Sequence, residues 1–373
     1  MQKEKLIIQN FGPIENVELE LGKINVLIGD QGTGKSTIGK IIAIFRNESF
    51  LQDLNFKELL EQYNIDSYLN NKSFIEYSCK EFIFKFDGEV KLEIFSDDLT
   101  HLINNIKLTR DKWFSTSETD SSYSFLLDEI IRLKSEFDKI SYISKYTPSE
   151  RTLIGSDDSI SIDKHSEQNY NLSYLTEFNA SFKRAKALNE IHFLDWKFKP
   201  EDRHWHIIHK DLKIRLKNAS SGIQSIFPIL LTYSVNYILY DKVFHIVEEP
   251  EQNLFPTTQY EMLKYLTSDI NNRDHKKLLT THSPYILTSL NNLMYAWQVG
   301  QAHEVEVDKI IPKKYWVNPN QVSAYFLRDG LAIPIIDTDG LIMADYIDGV
   351  SVDINNEFLA ISEIKASNEL GVN

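Results

Sequence analysis

A single cysteine, Cys79, excludes an internal disulfide, so nothing in the chain asks for an oxidising compartment. The N-terminus, MQKEKLIIQNFG, lacks the positive, apolar and small-residue order of a secretory signal. No uninterrupted run of about 18 apolar residues occurs, which argues against a membrane span. These absences together predict a cytoplasmic protein with no membrane partner. Positive charge is also short: 40 Lys and Arg face 54 Asp and Glu, a formal net charge of -14. Such a chain repels phosphate backbones on average, so any DNA contact needs a local basic patch. Lys183, Arg184 and Lys186 form one modest candidate, which reads equally as a solvated helix face. No internal repeat is visible.

What is present is a globular composition. Of 373 residues, 42% are hydrophobic and 25% charged, enough for a substantial core and more than one typical domain. Residues 4–9 and 17–28 read as strands, the second ending in the continuous apolar run NVLI. A glycine-rich turn follows, and Ile38, Ile41, Ile42 and Phe45 then recur at helical spacing. Around 73–95 period-two stretches flank Asp87-Gly88, a hairpin signal. From 97 to 145 the period changes: Leu126, Ile130, Leu133, Phe137 and Ile140 make a helical seam, read as a short arm or lid, or as a plain packed helix. Residues 155–173 are polar and read as a mobile loop.

Four motifs carry chemistry. Gly29-Asp30-Gln31-Gly32-Thr33-Gly34-Lys35-Ser36, followed by Thr37, fits the phosphate-binding loop and lies between a buried strand and a helix, as its mechanism requires. Its backbone N–H groups and the helix N-terminus would face phosphate oxygens, Lys35 would neutralise β/γ-phosphate charge, and Ser36 would ligate Mg²⁺. In VFHIVEEPEQNLFP, strand-forming residues deliver Glu248 and Glu249 to a strand end before Pro250. Glu248 is the candidate for the metal's water shell and Glu249 for the general base. In LLTTHSP a short strand ends on His282, a candidate γ-phosphate contact. Finally, Ser220, Ser221, Gly222 and Gln224 precede an apolar helix expected to begin near Ile226, forming a second anion site or a simple helix cap.

These four elements, in this order, resemble the ABC-class ATPases of the RecF, SMC and OLD type. The resemblance is close over roughly 1–50 and 215–295. It implies an α/β fold with an ABC-type P-loop domain: a mixed sheet with flanking helices, an antiparallel β subdomain and an inserted helical arm. It also implies that ATP and Mg²⁺ sit in a site shared between two copies, the signature serines of one closing over the P-loop nucleotide of the other. The expected division is 1–96 and 174–300 for the two parts of the ATPase domain, 97–173 for the helical insertion and loop, and 301–373 for a C-terminal extension. YTPSERTLIG at 146–155 is similar to a segment of stand-alone bacterial defence ATPases, such as the PARIS and Septu types. Arg151 in it is a candidate γ-phosphate or cross-subunit contact, with a structural salt bridge as the alternative.

The function these readings predict is Mg-dependent ATP hydrolysis that regulates a partner effector, a nuclease or toxin, in defence against phage. A RecF- or SMC-like DNA repair ATPase is the competing reading. An OLD-type nuclease would need more than Asp337-Thr338-Asp339, which reads better as a turn, and a transporter subunit would place its signature much nearer the P-loop. Glu248 stands where the superfamily has Asp, and no glutamine can be assigned to the Gln-loop.

Overall fold

The computed structural model describes residues 4–47, 56–116, 122–151, 190–202, 204–343, 346 and 355–362. The polar stretch 155–173 and the basic residues Lys183, Arg184 and Lys186 lie outside the described residues. β1 (Glu4–Phe11) and β2 (Ile14–Leu21) pair antiparallel, with Leu6 opposite Leu19 and Ile8 opposite Val17. These four side chains are buried while Glu18 and Glu20 face out, the two-residue period of a sheet with one wet face. The stretch 17–28 is two strands, not one. Gly22 and Lys23 turn the chain, and the buried Asn25 side chain accepts the Gly22 N–H at 2.8 Å and donates to the Gly22 carbonyl at 3.1 Å. β3 (Ile24–Gly29) then enters the core, buried at every position.

The main sheet has eleven described strands. In spatial order they are β6 (Val90–Ile94), β5 (Phe82–Phe86), β4 (Phe74–Ser78), β1, β2, β15 (Leu331–Pro334), β14 (Val322–Arg328), β3, β13 (Lys276–Thr281), β12 (Val243–Glu248) and β7 (Ile143–Thr147). From β14 to β7 every pairing is parallel. From β6 to β2 every pairing is antiparallel, and the Asp87-Gly88 turn joins β5 to β6 with Gly88 at φ 100°. β15 links the two parts, antiparallel to β14 and parallel to β2. The antiparallel strands are therefore continuous with the parallel part of the sheet.

Two expected boundaries shift. β7 falls inside the stretch assigned to the helical insertion, and β14 and β15 inside the C-terminal extension, yet all three belong to the main sheet. The helical part is α3 (Asp97–Ser115) and α4 (Ser122–Ile140), which pack on each other. Leu133 and Phe137 of the seam join Leu99, Leu102, Ile103 and Ile106 of α3 in the hydrophobic core, and Ile130 is also buried, whereas Leu126 and Ile140 are only partly so.

Other helices among the described residues are α1 (Lys35–Phe45), α2 (Phe56–Gln62), α5 (Ser221–Leu239), α6 (Pro256–Thr267), α7 (Pro284–Gly300) and the short α8 (Glu304–Asp308), and residues 355–362 are also helical. α5 is long and apolar enough to cross a bilayer by composition, but 61% of its most apolar window is buried in the fold. A second, antiparallel sheet of β8 (Ile191–Phe193), β9 (Trp196–Glu201), β10 (His204–His209) and β11 (Leu212–Arg215) packs on it. Phe198 and Trp205 close on Phe227 of α5 at ring-centroid distances of 4.9 and 5.0 Å. Asp337 is a turn residue: its Oδ1 accepts the N–H groups of Asp339 and Leu341, both at 2.9 Å.

Candidate active site

Because β3, β13, β12 and β7 are parallel neighbours, their C-terminal ends line one edge of the sheet in that order. β3 delivers the loop Asp30–Gly34, with Gly29, Gly32 and Gly34 at φ 155°, 77° and 97°. A methyl group at Gly29 would lie 2.3 Å from the Leu327 carbonyl oxygen, and one at Gly34 would lie 2.9 Å from Ile14. The loop thus fits between β14 and the β1–β2 turn only because these positions lack a side chain. Thr33 Oγ1 donates to the Asp30 carbonyl at 2.9 Å, and Lys35 Nζ donates to the Gly29 and Asp30 carbonyls at 2.8 and 2.7 Å. Asp30, Gln31 and Ser36 are exposed, whereas Thr37 is buried on the inner face of α1. Burial pushes the Lys35 pKa down, against the opposing pull of Glu249, Asp30, Glu251 and Glu248.

β13 ends at Thr281, and exposed His282 follows it. β12 ends at Glu248, which is buried; Tyr146 OH donates to its Oε1 at 2.5 Å, and the Ser149 N–H and hydroxyl reach its Oε2 at 3.4 Å. Glu249 has φ 44°, an uncommon backbone for a residue with a side chain, and its N–H donates to the Thr280 carbonyl at 2.9 Å. Its Oε1 lies 3.7 Å from His282 Nε2. Two residues on, Glu251 Oε1 accepts the His282 N–H and the Thr281 hydroxyl, each at 2.8 Å.

The serine cluster is placed differently from the sequence expectation. α5 begins at Ser221, not near Ile226, and Ser220 is its N-cap residue but makes no side-chain capping bond. Both serines are exposed. A methyl group at Gly222 would lie 2.7 Å from the Asn253 carbonyl oxygen, so the helix tip passes hard against the loop that follows the acid pair. Gln224 is turned inward: its Nε2 donates to the Lys217 and Ala219 carbonyls at 2.9 and 3.0 Å, which gives it a structural role instead of a nucleotide contact.

Arg151 is likewise corrected. It is fully buried, and its five N–H groups go to Ser225 O, Ser225 Oγ, Pro148 O, Glu248 O and Glu249 O. No donor is left for a γ-phosphate or a second chain. Burial lowers its pKa to about 10, held from falling further by Glu251, Glu249 and Glu248.

A family model described as an AAA ATPase domain matches residues 1–205 and 159–287. The chain belongs to the AAA ATPase domain family. It is an ATPase with a mixed α/β fold. No curated protein matches its sequence. Among solved structures it is similar to the SMC head domain from Thermotoga maritima, at 12% identity, covering 90% of this chain and 98% of that one, with a TM-score of 0.42. It is also similar to an SmcHead bound to the C-winged helix domain of ScpA, at 13% identity, covering 90% and 97%, TM-score 0.40. An Smc head with an extended coiled coil, bound to the C-terminal domain of ScpA derived from Pyrococcus furiosus, matches at 11% identity, covering 89% and 95%, TM-score 0.39.

The donor set of this AAA ATPase domain suits nucleotide-borne magnesium. Among the described residues no group of three His, Cys, Asp or Glu side chains could hold a metal unaided. Magnesium commonly needs only one or two carboxylates when phosphate oxygens and water complete its shell, and exposed Ser36 with braced Glu248 can supply such a set. Sequence reasoning missed three residues here: Tyr146 and Ser149, which hold Glu248, and Glu251, which holds the His282 backbone. Tyr146 and Ser149 lie in the YTPSERTLIG segment, but their hold on Glu248 was not readable, because that partner is about a hundred residues away in the chain. Glu251 was visible as the next acid after the pair, two residues beyond Glu249.

Proposed function

We propose that this ATPase domain binds ATP and Mg²⁺ on the Lys35 loop and hydrolyses the nucleotide once the exposed serine tip of a second copy closes over it. The ATP-dependent assembly then regulates a separate effector protein, a nuclease or toxin, in defence against phage. The observation that carries the shared site is the separation of the two anion-binding elements along the sheet edge. Lys35 follows β3, whereas the α5 tip is fastened beside β12 and β7 through Asn253 and Arg151. With strands about 4.8 Å apart, β3 and β7 are roughly 14 Å apart. A triphosphate cradled by Lys35 therefore meets serines from another chain more readily than its own.

In this reading Lys35 and the loop N–H groups neutralise and orient the β- and γ-phosphates. Ser36 and Glu248 would hold Mg²⁺, which would supply further charge neutralisation. Glu249 Oε1 takes the proton of the water that attacks the γ-phosphorus while the bond to the β–γ bridging oxygen breaks and ADP leaves. His282, beside Glu249, contacts the γ-phosphate and registers its departure. Resemblance to defence ATPases supports the regulatory role, and a DNA repair role would instead appear as DNA-stimulated turnover with a steep salt dependence.

The test is Glu249→Gln. The variant should bind ATP normally, turn over at least about 100-fold more slowly, and accumulate an ATP-bound dimer by light scattering. Unchanged turnover would remove Glu249 as the base, and a monomer with ATP bound would remove the shared site.

A further inference from the structure

A buried arginine normally meets a carboxylate, because an unpaired charge in the interior is costly. Arg151 meets backbone and hydroxyl oxygens instead, and these belong to three separate elements. Nη1 donates to Glu248 O at 2.7 Å and Pro148 O at 3.1 Å; Nη2 donates to Glu249 O at 2.7 Å and Ser225 Oγ at 3.3 Å; Nε donates to Ser225 O at 3.1 Å. Ser225 lies one helical turn beyond Ser221 on α5. One planar group therefore ties the first turns of the serine-tipped helix to the backbone of both acids.

Glu249 is the residue for which this matters. A non-glycine at φ 44° persists where neighbouring groups over-determine it, at an intrinsic cost on the order of 1–3 kcal/mol. Its N–H is fixed by Thr280 on β13; its carbonyl accepts the local Gln252 N–H at 3.0 Å and, as the second long-range clamp, Arg151 Nη2 at 2.7 Å. The first clamp lies within the sheet. The second leads out of it, to α5.

We propose that Arg151 is a positioning residue that couples the serine tip of α5 to the aim of Glu249. When a second chain's nucleotide engages Ser220 and Ser221, any shift of the first turns of α5 moves Ser225, and the rigid guanidinium carries the displacement to the Glu249 carbonyl. The catalytic carboxylate of one chain thereby responds to the nucleotide held by its mate. The coupling runs through a contiguous set of hydrogen bonds, which is the physical requirement for such a link. It rests on Glu249 being the base and on the serines facing a partner's nucleotide.

The test combines Arg151→Lys with Glu249→Gln in the full chain. Lysine keeps the charge but cannot reach five acceptors in fixed directions. Arg151→Lys alone should lower kcat by about 10- to 100-fold with the ATP Kd within about twofold, since a small misplacement of a catalytic group has effects of that size. In the Glu249→Gln background the same change should alter the residual rate by less than about twofold, because Arg151 acts through the missing base. Full multiplicative loss in that background, or equal weakening of ATP binding and turnover, would overturn the proposal. Should Arg151→Lys fail to fold, Ser225→Ala, which removes one acceptor, is read by the same criteria. A failure of the base assignment shows separately, as normal turnover in Glu249→Gln alone.

Discussion

Glu251 accepts the backbone N–H of His282 at 2.8 Å, tying the loop after the acid pair to the histidine at the end of the neighbouring strand. The same oxygen accepts the Thr281 hydroxyl, while Oε2 is enclosed without a hydrogen-bond partner among the described residues. Burial raises the Glu251 carboxyl above its ordinary range, although the His282 and Thr281 bonds oppose that rise. Glu251→Ala should cost about 1–3 kcal/mol by orphaning two donors, and should lower kcat by loosening His282. Glu251→Gln keeps the acceptor and should retain most activity. Equal activity in the two variants would contradict this role.

The raised carboxyl also fixes a sign. A folded acid that titrates above its unfolded value favours the protonated form, so wild type is most stable relative to Glu251→Gln below about pH 4.5 and loses ground as pH rises through the shifted value. Urea midpoints of both proteins from acid to neutral pH would show it. A pH-independent difference would contradict it.

Lys35→Ala should leave the circular dichroism spectrum unchanged and weaken ATP binding by about 100-fold or more, as expected for loss of a charge-assisted phosphate contact. Calorimetric titration with ATP reads this directly. Normal affinity would refute the phosphate role of the loop.

The loop glycines should differ. Gly29→Ala drives a methyl group onto the Leu327 carbonyl oxygen, forcing β3 and β14 apart, and should cost about 3 kcal/mol. Gly32 has open space around it and needs only its φ of 77°, so Gly32→Ala should cost about 1 kcal/mol. Equal losses in thermal or urea unfolding would contradict this assignment of the strain.

Acid unfolding should depend on Glu4. Burial alone would raise its carboxyl, but Arg46, with Nη2 at 3.1 Å, together with Lys276 and Tyr77, holds it at about 2. A depressed acid stabilises the fold above its unfolded value of 4.5 and loses that contribution as pH falls towards 2. Glu4→Gln should therefore cost about 3–5 kcal/mol at neutral pH, with the gap closing between those two values. A gap that stays constant down to acid pH would contradict it.

Much of the site was legible because its signals are local. An apolar run, a glycine turn and helical spacing identify β3, the phosphate loop and α1 within a few residues, and the runs before Glu248 and His282 identify two more strand ends. What ties them together is long-range. That β13 lies between β3 and β12, that β7 returns to the sheet after the helical pair, and that β14 flanks β3 are facts of pairing which no window of sequence contains. For the same reason Arg151 read equally as a nucleotide contact or a structural salt bridge and Gln224 as part of an anion site or helix cap, whereas both donate to carbonyl groups of their own chain. The φ of Glu249 was equally hidden, since the residue type does not favour it and only its surroundings hold it.

The central claim is that each ATP is enclosed by Lys35 of one chain and Ser221 of another, and mixing two inactive variants tests it most directly. Lys35→Ala and Ser221→Arg chains should each be inactive alone. Combined in equal amounts they should recover roughly a quarter of the wild-type rate, because about half the dimers are mixed and each has one intact site of two. Mixtures as inactive as either variant, when exchange between dimers is shown by labelled chains, would contradict the shared site.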